Sequence, residues 1–234
     1  MRIIVVASRK GGSGKTTLAG HLGVQAEREG IGKVALADMD PQGSLTDWWN
    51  LRRAPGPHFL QTTVQGLADD VAELRRLGFG LLIIDTPPAL TTAIREVVSL
   101  CDLVLLPTRP SPHDLRAIGT TVRLVEDLGK PLIFVLNGAT PRARITGDAL
   151  ALLSQYGPLA PVIIHQRVDF ASSMIDGRTV MELSGPSRSA DEVAALWLYL
   201  AGRLVGAAPR RVLPRLPGLV VAGEELPAVS AEGA

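Results

Sequence analysis

The chain has 234 residues, a formal net charge of +1 and a single cysteine. This length fits one α/β domain with a sizeable core. The near-balance of charge excludes a globally basic nucleic-acid binder but not a local basic patch, and one cysteine excludes a disulfide framework. No apolar run reaches the roughly 18 residues of a membrane span, and no secretory signal opens the sequence. We therefore expect a cytoplasmic protein.

Short β-branched and leucine-rich runs alternate with amphipathic stretches along the chain. Such runs are typical of strands that are buried on both faces of a parallel sheet. In chain order, strands are predicted at 2–7, 33–38, 80–85, 102–107, 131–136 and 160–164. Helices are predicted at 16–29, 66–77, 90–100, 112–128, 145–156 and 188–205. This alternation predicts an α/β fold with a doubly wound, mostly parallel sheet and helices on both faces.

The composition changes after residue 205, where proline, alanine and glycine become frequent. Prolines at 209, 214, 217 and 227 would break any helix there. We therefore predict one domain over residues 1–205 and a flexible tail over residues 206–234. The same prolines interrupt the continuous apolar face that a membrane-binding amphipathic helix needs.

A glycine-rich loop stands between the first predicted strand and the first predicted helix. In a P-loop, backbone N–H groups cradle the phosphates, a lysine reaches the β- and γ-phosphates and a hydroxyl binds Mg²⁺. The loop residues that would bind the nucleotide are Gly11, Gly12, Ser13, Gly14, Lys15, Thr16 and Thr17. Arg9 replaces the first glycine of the general pattern, and a second lysine, Lys10, precedes the glycine pair. The strand, loop and helix together predict a nucleotide site.

Three aspartates follow apolar strands. Asp38 and Asp40 lie at the end of the second predicted strand, and Asp85 closes the run 81–84. An aspartate at the end of a buried strand is expensive to desolvate, which favours a Mg²⁺ partner for Asp85 over a structural role. A purely structural role is open for Asp38 and Asp40, in which both only cap the start of the next helix.

An asparagine, Asn137, ends the apolar run 132–136. Its amide can both donate and accept hydrogen bonds, and, taken alone, an asparagine at a strand end is more often a turn residue. The four histidines are scattered without ligand spacing, and we assign them no metal.

The segment from Lys10 to Thr17 resembles the deviant Walker A motif K-G-G-x-G-K-[ST]-[ST] of the ParA/MinD family of ATPases, and it matches that motif at every position. The resemblance implies an ATP-bound sandwich homodimer, in which Lys10 reaches the phosphates bound by the partner subunit. A cation delivered in this way would make dimer stability depend on the γ-phosphate.

Other segments carry the same resemblance. The segment 38–42 resembles the family's D-x-D-P-Q sequence, and the segment 81–88 has the form of its Walker B motif. The resemblance implies ATP and Mg²⁺ as cofactors, with Asp40 orienting the attacking water. It also implies that the residues near Mg²⁺ are Thr16, Asp38 and Asp85, and that Asn137 contacts the adenine edge. Thr86 is a candidate sensor of the γ-phosphate.

Segments 44–48, 106–115 and 166–180 look like those of small ParF-type partition ATPases. The resemblance implies a slow ATPase on the nucleoid that positions a plasmid, chromosome or protein cargo. It also implies that the ATP-bound dimer binds nonspecific DNA, and that a ParB-like or adaptor protein on the cargo stimulates hydrolysis. Candidate DNA contacts are Arg142, Arg144, Arg167, Arg178 and Arg203, although for any single one of them an ordinary solvated arginine is the commoner role.

Two other classes share this nucleotide fold. One is a membrane-associated positioning ATPase of MinD type, against which the proline-broken tail counts, so we expect no membrane partner. The other is a metabolic enzyme that resembles dethiobiotin or cobyrinic acid synthase. The D-x-D-P-Q segment and the position of Lys10 favour a switch over such a synthase.

Overall fold

A seven-stranded parallel sheet forms the centre of the protein. The structure, a computed structural model, describes residues 1–88 and 91–205. The strands are β1 (Arg2–Val6), β2 (Lys33–Asp38), β3 (His58–Phe59), β4 (Phe79–Asp85), β5 (Leu103–Thr108), β6 (Leu132–Ala139) and β7 (Ile164–His165). Their order across the sheet is β3-β2-β4-β1-β5-β6-β7, and each recorded strand pair is parallel.

Helices cover both faces of this sheet, which confirms the predicted doubly wound fold. They are α1 (Lys15–Arg28), α2 (Ser44–Asn50), α3 (Leu67–Arg76), α4 (Thr92–Ser99), α5 (Pro112–Asp127), α6 (Arg144–Leu153), α7 (Val168–Met174) and α8 (Arg188–Val205). A short 3-10 helix, Val180–Glu182, lies between the last two helices. Within the described residues, no helix combines the length and apolarity needed to cross a bilayer.

The core consists of two hydrophobic clusters, one on each face of the sheet. Side chains alternate along β1, so that Ile4 and Val6 pack with α1, α2, α7 and α8. Ile3 and Val5 pack on the other face with α3, α4, α5 and α6. All four of these strand residues are fully buried. Burial of each such side chain contributes about 1.5–3 kcal/mol, and burial on both faces explains why these strands read as continuous apolar runs.

Four short elements of the described residues were not predicted from the sequence: β3, α2, α7 and the 3-10 helix. Each has seven residues or fewer, too short for a clear periodic signal. The predicted strand at 160–164 was placed too early, because only Ile164 and His165 form β7, while Leu159 makes an isolated bridge to Phe134. The start of the predicted helix at 90–100 and the predicted tail at 206–234 lie outside the described residues.

A buried arginine fastens the end of α2 to the segment between α7 and α8. The guanidinium of Arg52 forms an ion pair with Glu182 at 3.0 Å and donates to the carbonyl oxygens of Gly56 and Gly177. It also stacks on Trp48, with 4.9 Å between the guanidinium carbon and the ring centroid. Only 3% of the Arg52 side chain is exposed. The backbones of Gly177 and Arg52 also lie close together, because a Cβ added to Gly177 would be 2.5 Å from the backbone nitrogen of Arg52.

The electrostatics of Glu182 follow from this ion pair. Burial by itself raises the pKa of Glu182, but hydrogen bonds from Arg52 and Thr179 outweigh it, so the net pKa lies below its ordinary value. The carboxylate is therefore ionised at neutral pH and pairs with a guanidinium that is always charged. Since the pair joins the residue that follows the C-cap of α2 to the 3-10 helix, it fixes the position of two segments on either side of it.

Removing one partner of this pair is expected to be costly, because it leaves a buried charge without compensation. We expect Arg52→Met to lower the free energy of unfolding by about 3 kcal/mol. Arg53→Met is the matched control, because Arg53 is exposed and surface changes of this kind usually stay within about 0.5 kcal/mol. Urea denaturation of the two variants measures the difference, and equal stabilities would contradict the assigned role of Arg52.

Candidate nucleotide-binding site

The candidate site lies at the carboxyl ends of four strands. The glycine-rich loop follows β1, Asp38 ends β2 and Asp40 lies two residues beyond it, Asp85 ends β4, and Asn137 lies in β6. Strands β2, β4 and β1 are neighbours, and β5 separates β1 from β6. Ligands in open α/β sheets bind at this edge. The sheet order therefore brings together residues that are far apart in the sequence.

The loop has the geometry that phosphate binding requires. Gly12 and Gly14 have φ angles of 71° and 93°, in the left-handed region that favours glycine. Gly14 precedes α1, so the N–H groups of the first helical turn are free to face an anion. The Lys15 side chain belongs to this turn and is 7% exposed. The loop thus offers backbone donors, a cation and the positive end of a helix dipole to the phosphates.

The side-chain amide of a β6 residue holds the glycine-rich loop in place. Asn137 donates through Nδ2 to the carbonyl oxygen of Ser13, with 2.7 Å between the two atoms. A Cβ on Gly14 would lie 2.1 Å from that nitrogen, so only glycine fits there. The structure therefore gives Asn137 a contact with the loop, a role that the sequence did not predict. Its contact with adenine stays a prediction.

The Asp85 carboxylate is almost completely buried below the loop. Its Oδ2 accepts a hydrogen bond from the hydroxyl of Thr16 at 2.5 Å. Burial raises the pKa of Asp85 to about 7, and the Asp38 carboxylate acts in the same direction, while the Thr16 hydrogen bond and the charge of Lys15 oppose the shift. A cation beside Asp85 would favour its ionised form.

The donor set fits Mg²⁺. Three buried side-chain polar atoms within the described residues have no hydrogen-bond partner, and two of them, Asp85 Oδ1 and Ser13 Oγ, lie in this site. Buried polar atoms without a protein partner are rare in folded proteins, and these two oxygens are available to a cation. A carboxylate and a hydroxyl on adjacent elements are also the oxygen ligands that Mg²⁺ prefers.

Asp38 holds the segment that follows β2. Its Oδ2 accepts hydrogen bonds from the backbone N–H groups of Leu45 and Thr46, each at 3.0 Å, and its Oδ1 accepts one from the N–H of Asp40. The side chain therefore caps α2 from the end of a strand, which agrees with the capping alternative for this residue. Its place near Mg²⁺ stays a prediction.

Asp40 lines a groove with the loop, as the prediction of a water-orienting carboxylate requires. The groove is lined by Gly11, Gly12, Gly14, Lys15, Thr16, Thr17, Asp40, Gln42, Ser44, Asp47, Trp48, Leu51, Pro88, Arg109, Met174 and Ile175. Lys10 is not among these residues. It is half-buried, and its contact with the nucleotide of a partner subunit stays a prediction. Thr86 is buried and donates to the carbonyl oxygen of Val6 at 2.9 Å, and its sensing role stays a prediction.

The sequence did not identify Arg109 as a residue of this groove. A terminal nitrogen of its guanidinium lies 3.8 Å from the place that a Cβ on Gly12 would occupy. Arg109 directly follows β5, which pairs with β1. Since loops after neighbouring parallel strands meet at one edge, the strand order could have found it. The apolar residues Leu51, Met174 and Ile175 at the other end of the groove carry no motif.

Two of the five predicted DNA contacts are engaged in ion pairs. Arg167 pairs with Glu192 at 2.6 Å, and Arg178 pairs with Asp176 at 2.8 Å. Arg203 donates to the hydroxyl of Tyr199, and it lines a groove near the starts of β1 and β5, at the opposite edge of the sheet.

Arg142 and Arg144 are exposed at the start of α6, and Arg142 has a φ angle of 61°. The structure therefore does not bring the five predicted arginines into one patch. Their DNA contacts stay predictions.

The fold and the loop define a P-loop nucleotide-binding α/β protein. A family model described as the CobQ/CobB/MinD/ParA nucleotide binding domain matches residues 4–180, and the chain belongs to this family. The predicted ParA/MinD resemblance is thereby confirmed.

Similar proteins include positioning and partition proteins. The "Maintenance of carboxysome distribution protein A" of Halothiobacillus neapolitanus is 30% identical over 202 residues, which cover 81% of this chain and 92% of that protein. The "Chromosome-partitioning ATPase Soj" of Thermus thermophilus is 27% identical over 190 residues, 66% of this chain and 73% of that protein. The septum site-determining protein MinD of Pyrococcus horikoshii, solved with Mg-ADP, superposes with a TM-score of 0.70 at 18% identity, covering 88% and 97% of the two chains.

The clamp on the loop can be distinguished from a contact with adenine. If Asn137 acts on the loop, Asn137→Ala should weaken binding of ATP and GTP by the same factor, roughly fivefold to tenfold for one lost hydrogen bond. Fluorescent analogues of both nucleotides measure the two dissociation constants, with the exposed Asn50→Ala as control. Loss of affinity for ATP alone would instead indicate that Asn137 reads the base.

Proposed function

We propose that the protein is a ParA-like ATPase that forms an ATP-dependent homodimer, binds nonspecific DNA and positions a cargo over the nucleoid. The convergence of Lys15, Asp40 and Asp85 beside a loop with a second lysine, Lys10, is the observation that carries this proposal. The similarity to carboxysome-distribution and chromosome-partitioning proteins supports a positioning role. The cargo is a plasmid, a chromosome or a large protein assembly.

The chain's own residues supply most of the proposed chemistry. Lys15 and the N–H groups of the loop bind and neutralise the phosphates, and Asp40 holds a water in line with the γ-phosphate. Thr16 and Asp85 would hold Mg²⁺, which supplies further positive charge at the phosphates when bound. Lys10 extends to the nucleotide of a partner subunit, so the dimer persists only while the γ-phosphate is present.

The proposed cycle is a population shift. ATP favours a dimer that binds DNA, and a ParB-like or adaptor protein on the cargo stimulates hydrolysis and so releases the dimer. Intrinsic hydrolysis is slow in this scheme, because the DNA-bound state has to persist until the partner arrives. Dimerisation also doubles the positive surface, which would allow a chain with a net charge of +1 to bind DNA.

Two substitutions separate nucleotide binding from hydrolysis. Lys15→Ala is expected to lose nucleotide binding, because it removes the buried cation of the loop. Asp40→Ala is expected to bind ATP and to remain dimeric, because the attacking water is no longer positioned and the γ-phosphate is not removed. Light scattering after gel filtration in saturating ATP gives the oligomeric state. A monomeric Asp40→Ala protein under these conditions would contradict the scheme.

The dependence of DNA binding on nucleotide tests the proposal as a whole. Gel shift or interferometry is performed without nucleotide, with ADP and with ATP, at two salt concentrations, for the wild type and for Lys10→Ala. We expect binding only with ATP, weakened by salt and lost in Lys10→Ala. Intact ATP binding without DNA binding under any condition would exclude the proposal and favour a membrane-positioning ATPase or a small-molecule synthase. ATP-dependent sedimentation with liposomes separates these two classes.

A further inference from the structure

The outer face of α5 carries a row of exposed basic side chains. Arg116, Thr120 and Arg123 follow one another at intervals of four and three residues, so they lie on one face of the helix. All three are exposed, whereas Ile118, Thr121, Val122 and Val125 are buried on the opposite face. At 1.5 Å per residue, the two arginines are separated by about 10 Å along the helix axis.

The phosphate-binding loop adds a third guanidinium to this row. Arg9 is exposed, and its terminal nitrogen donates to the hydroxyl of Thr120 at 3.0 Å. This hydrogen bond places Arg9 between Arg116 and Arg123, although it is 111 residues from Thr120 in the sequence. Arg9, Arg116 and Arg123 together form the α5 arginine row.

The α5 arginine row takes no part in the ion pairs of the described residues. Of the three acidic residues of α5, Asp114 hydrogen-bonds to Ser111 and Asp127 pairs with Arg95 at 4.0 Å. The third, Glu126, is exposed one turn beyond Arg123, at the C-terminal end of the row, and forms no ion pair with a described residue. Arg167 and Arg178, in contrast, are each paired with a carboxylate.

We propose that the α5 arginine row binds the phosphate backbone of DNA. This inference rests on the DNA binding proposed above, and it places the contact on a surface that the sequence motifs did not single out. The phosphates of one DNA strand recur every 3.4 Å along the axis, so a row of about 10 Å spans about three steps of one strand. A row of exposed guanidinium groups that form no ion pairs with the described residues fits a polyanion, and contacts to phosphates carry no base specificity.

The position of Arg9 gives the contact a mechanistic consequence. Arg9 immediately precedes Lys10 in the loop that binds the nucleotide. DNA on the α5 arginine row therefore touches the loop itself rather than a distant surface. Contact at this point links occupancy of DNA to the conformation of the residues that hold the phosphates.

The test compares two double variants that remove the same charge. Arg116→Gln/Arg123→Gln neutralises the two helical members of the row. Arg53→Gln/Arg75→Gln is the control, because both of its arginines are exposed and neither forms an ion pair with a described residue. Affinity for a 24-base-pair duplex is measured with ATP by fluorescence anisotropy over a series of KCl concentrations. ATP affinity and melting temperature are measured for each protein to establish that it is folded.

We expect the helical double variant to lose at least tenfold in DNA affinity at about 0.1 M salt, while the control stays within twofold of the wild type. The plot of log K against log salt has a negative slope, and each lost phosphate contact lowers the magnitude of that slope by about 0.9. Two lost contacts should therefore lower it by about 1.8 for each bound protomer. Unchanged ATP affinity and melting temperature would assign the loss to the surface.

The outcomes separate this inference from the function on which it rests. A wild type that binds DNA with ATP, together with a helical double variant that has the same affinity and salt slope, would overturn the α5 arginine row and leave DNA binding intact. An equal loss in both double variants would also overturn it, because charge alone would then explain the effect. A wild type that binds no DNA would overturn the proposed function first, and the row with it.

Discussion

The burial of Asp85 is the constraint around which the nucleotide site is arranged. A carboxylate at the end of a central strand is 1% exposed, and burial opposes its ionisation. The hydrogen bond from Thr16 and the charge of Lys15 offset part of that cost, and both come from the first turn of α1. The carboxylate thereby ties the nucleotide loop to β4, and its unpartnered oxygen provides a ligand position for a cation.

The segments that flank the groove are held by polar contacts with residues far along the chain. His21, one turn beyond Thr17, donates through Nδ1 to the Thr17 carbonyl oxygen and accepts the N–H of Val180 through Nε2. Burial lowers the pKa of His21 to about 4, so the neutral imidazole can make both contacts at pH 7. Together with the Arg52–Glu182 pair, this contact joins α1, the segment directly after α2 and the 3-10 helix around one side of the nucleotide site.

Among the described residues, some arginines form ion pairs within the fold and others are exposed without one. Arg52 and Arg167 lie largely within the fold and compensate Glu182 and Glu192. Arg9, Arg116 and Arg123 remain exposed on one surface next to the loop. A net charge of +1 therefore conceals a local excess of positive charge. A phosphate backbone responds to such a local excess and not to the total charge.

The amino-acid sequence by itself determined the fold class and the chemical core of the site. The runs in β1 and β4 are apolar because both faces of these strands are buried, and the glycines of the loop lie next to the lysine and threonines that they position. These signals depend on residues that are close in the chain, so periodicity and motif spacing reveal them. Short elements such as α2 and β3 were not predicted, because seven residues or fewer show little periodicity.

Only the tertiary structure decided which distant side chains meet. Asn137 reaches the carbonyl of Ser13 across 124 residues, and Arg9 reaches Thr120 across 111. Asp38 caps α2 from the end of β2, a position that no local capping pattern describes. These contacts depend on the order of strands across the sheet and on which helix covers which face. That order follows from the packing of all the strands and helices together, whereas a local pattern records only the burial and backbone geometry of its own segment.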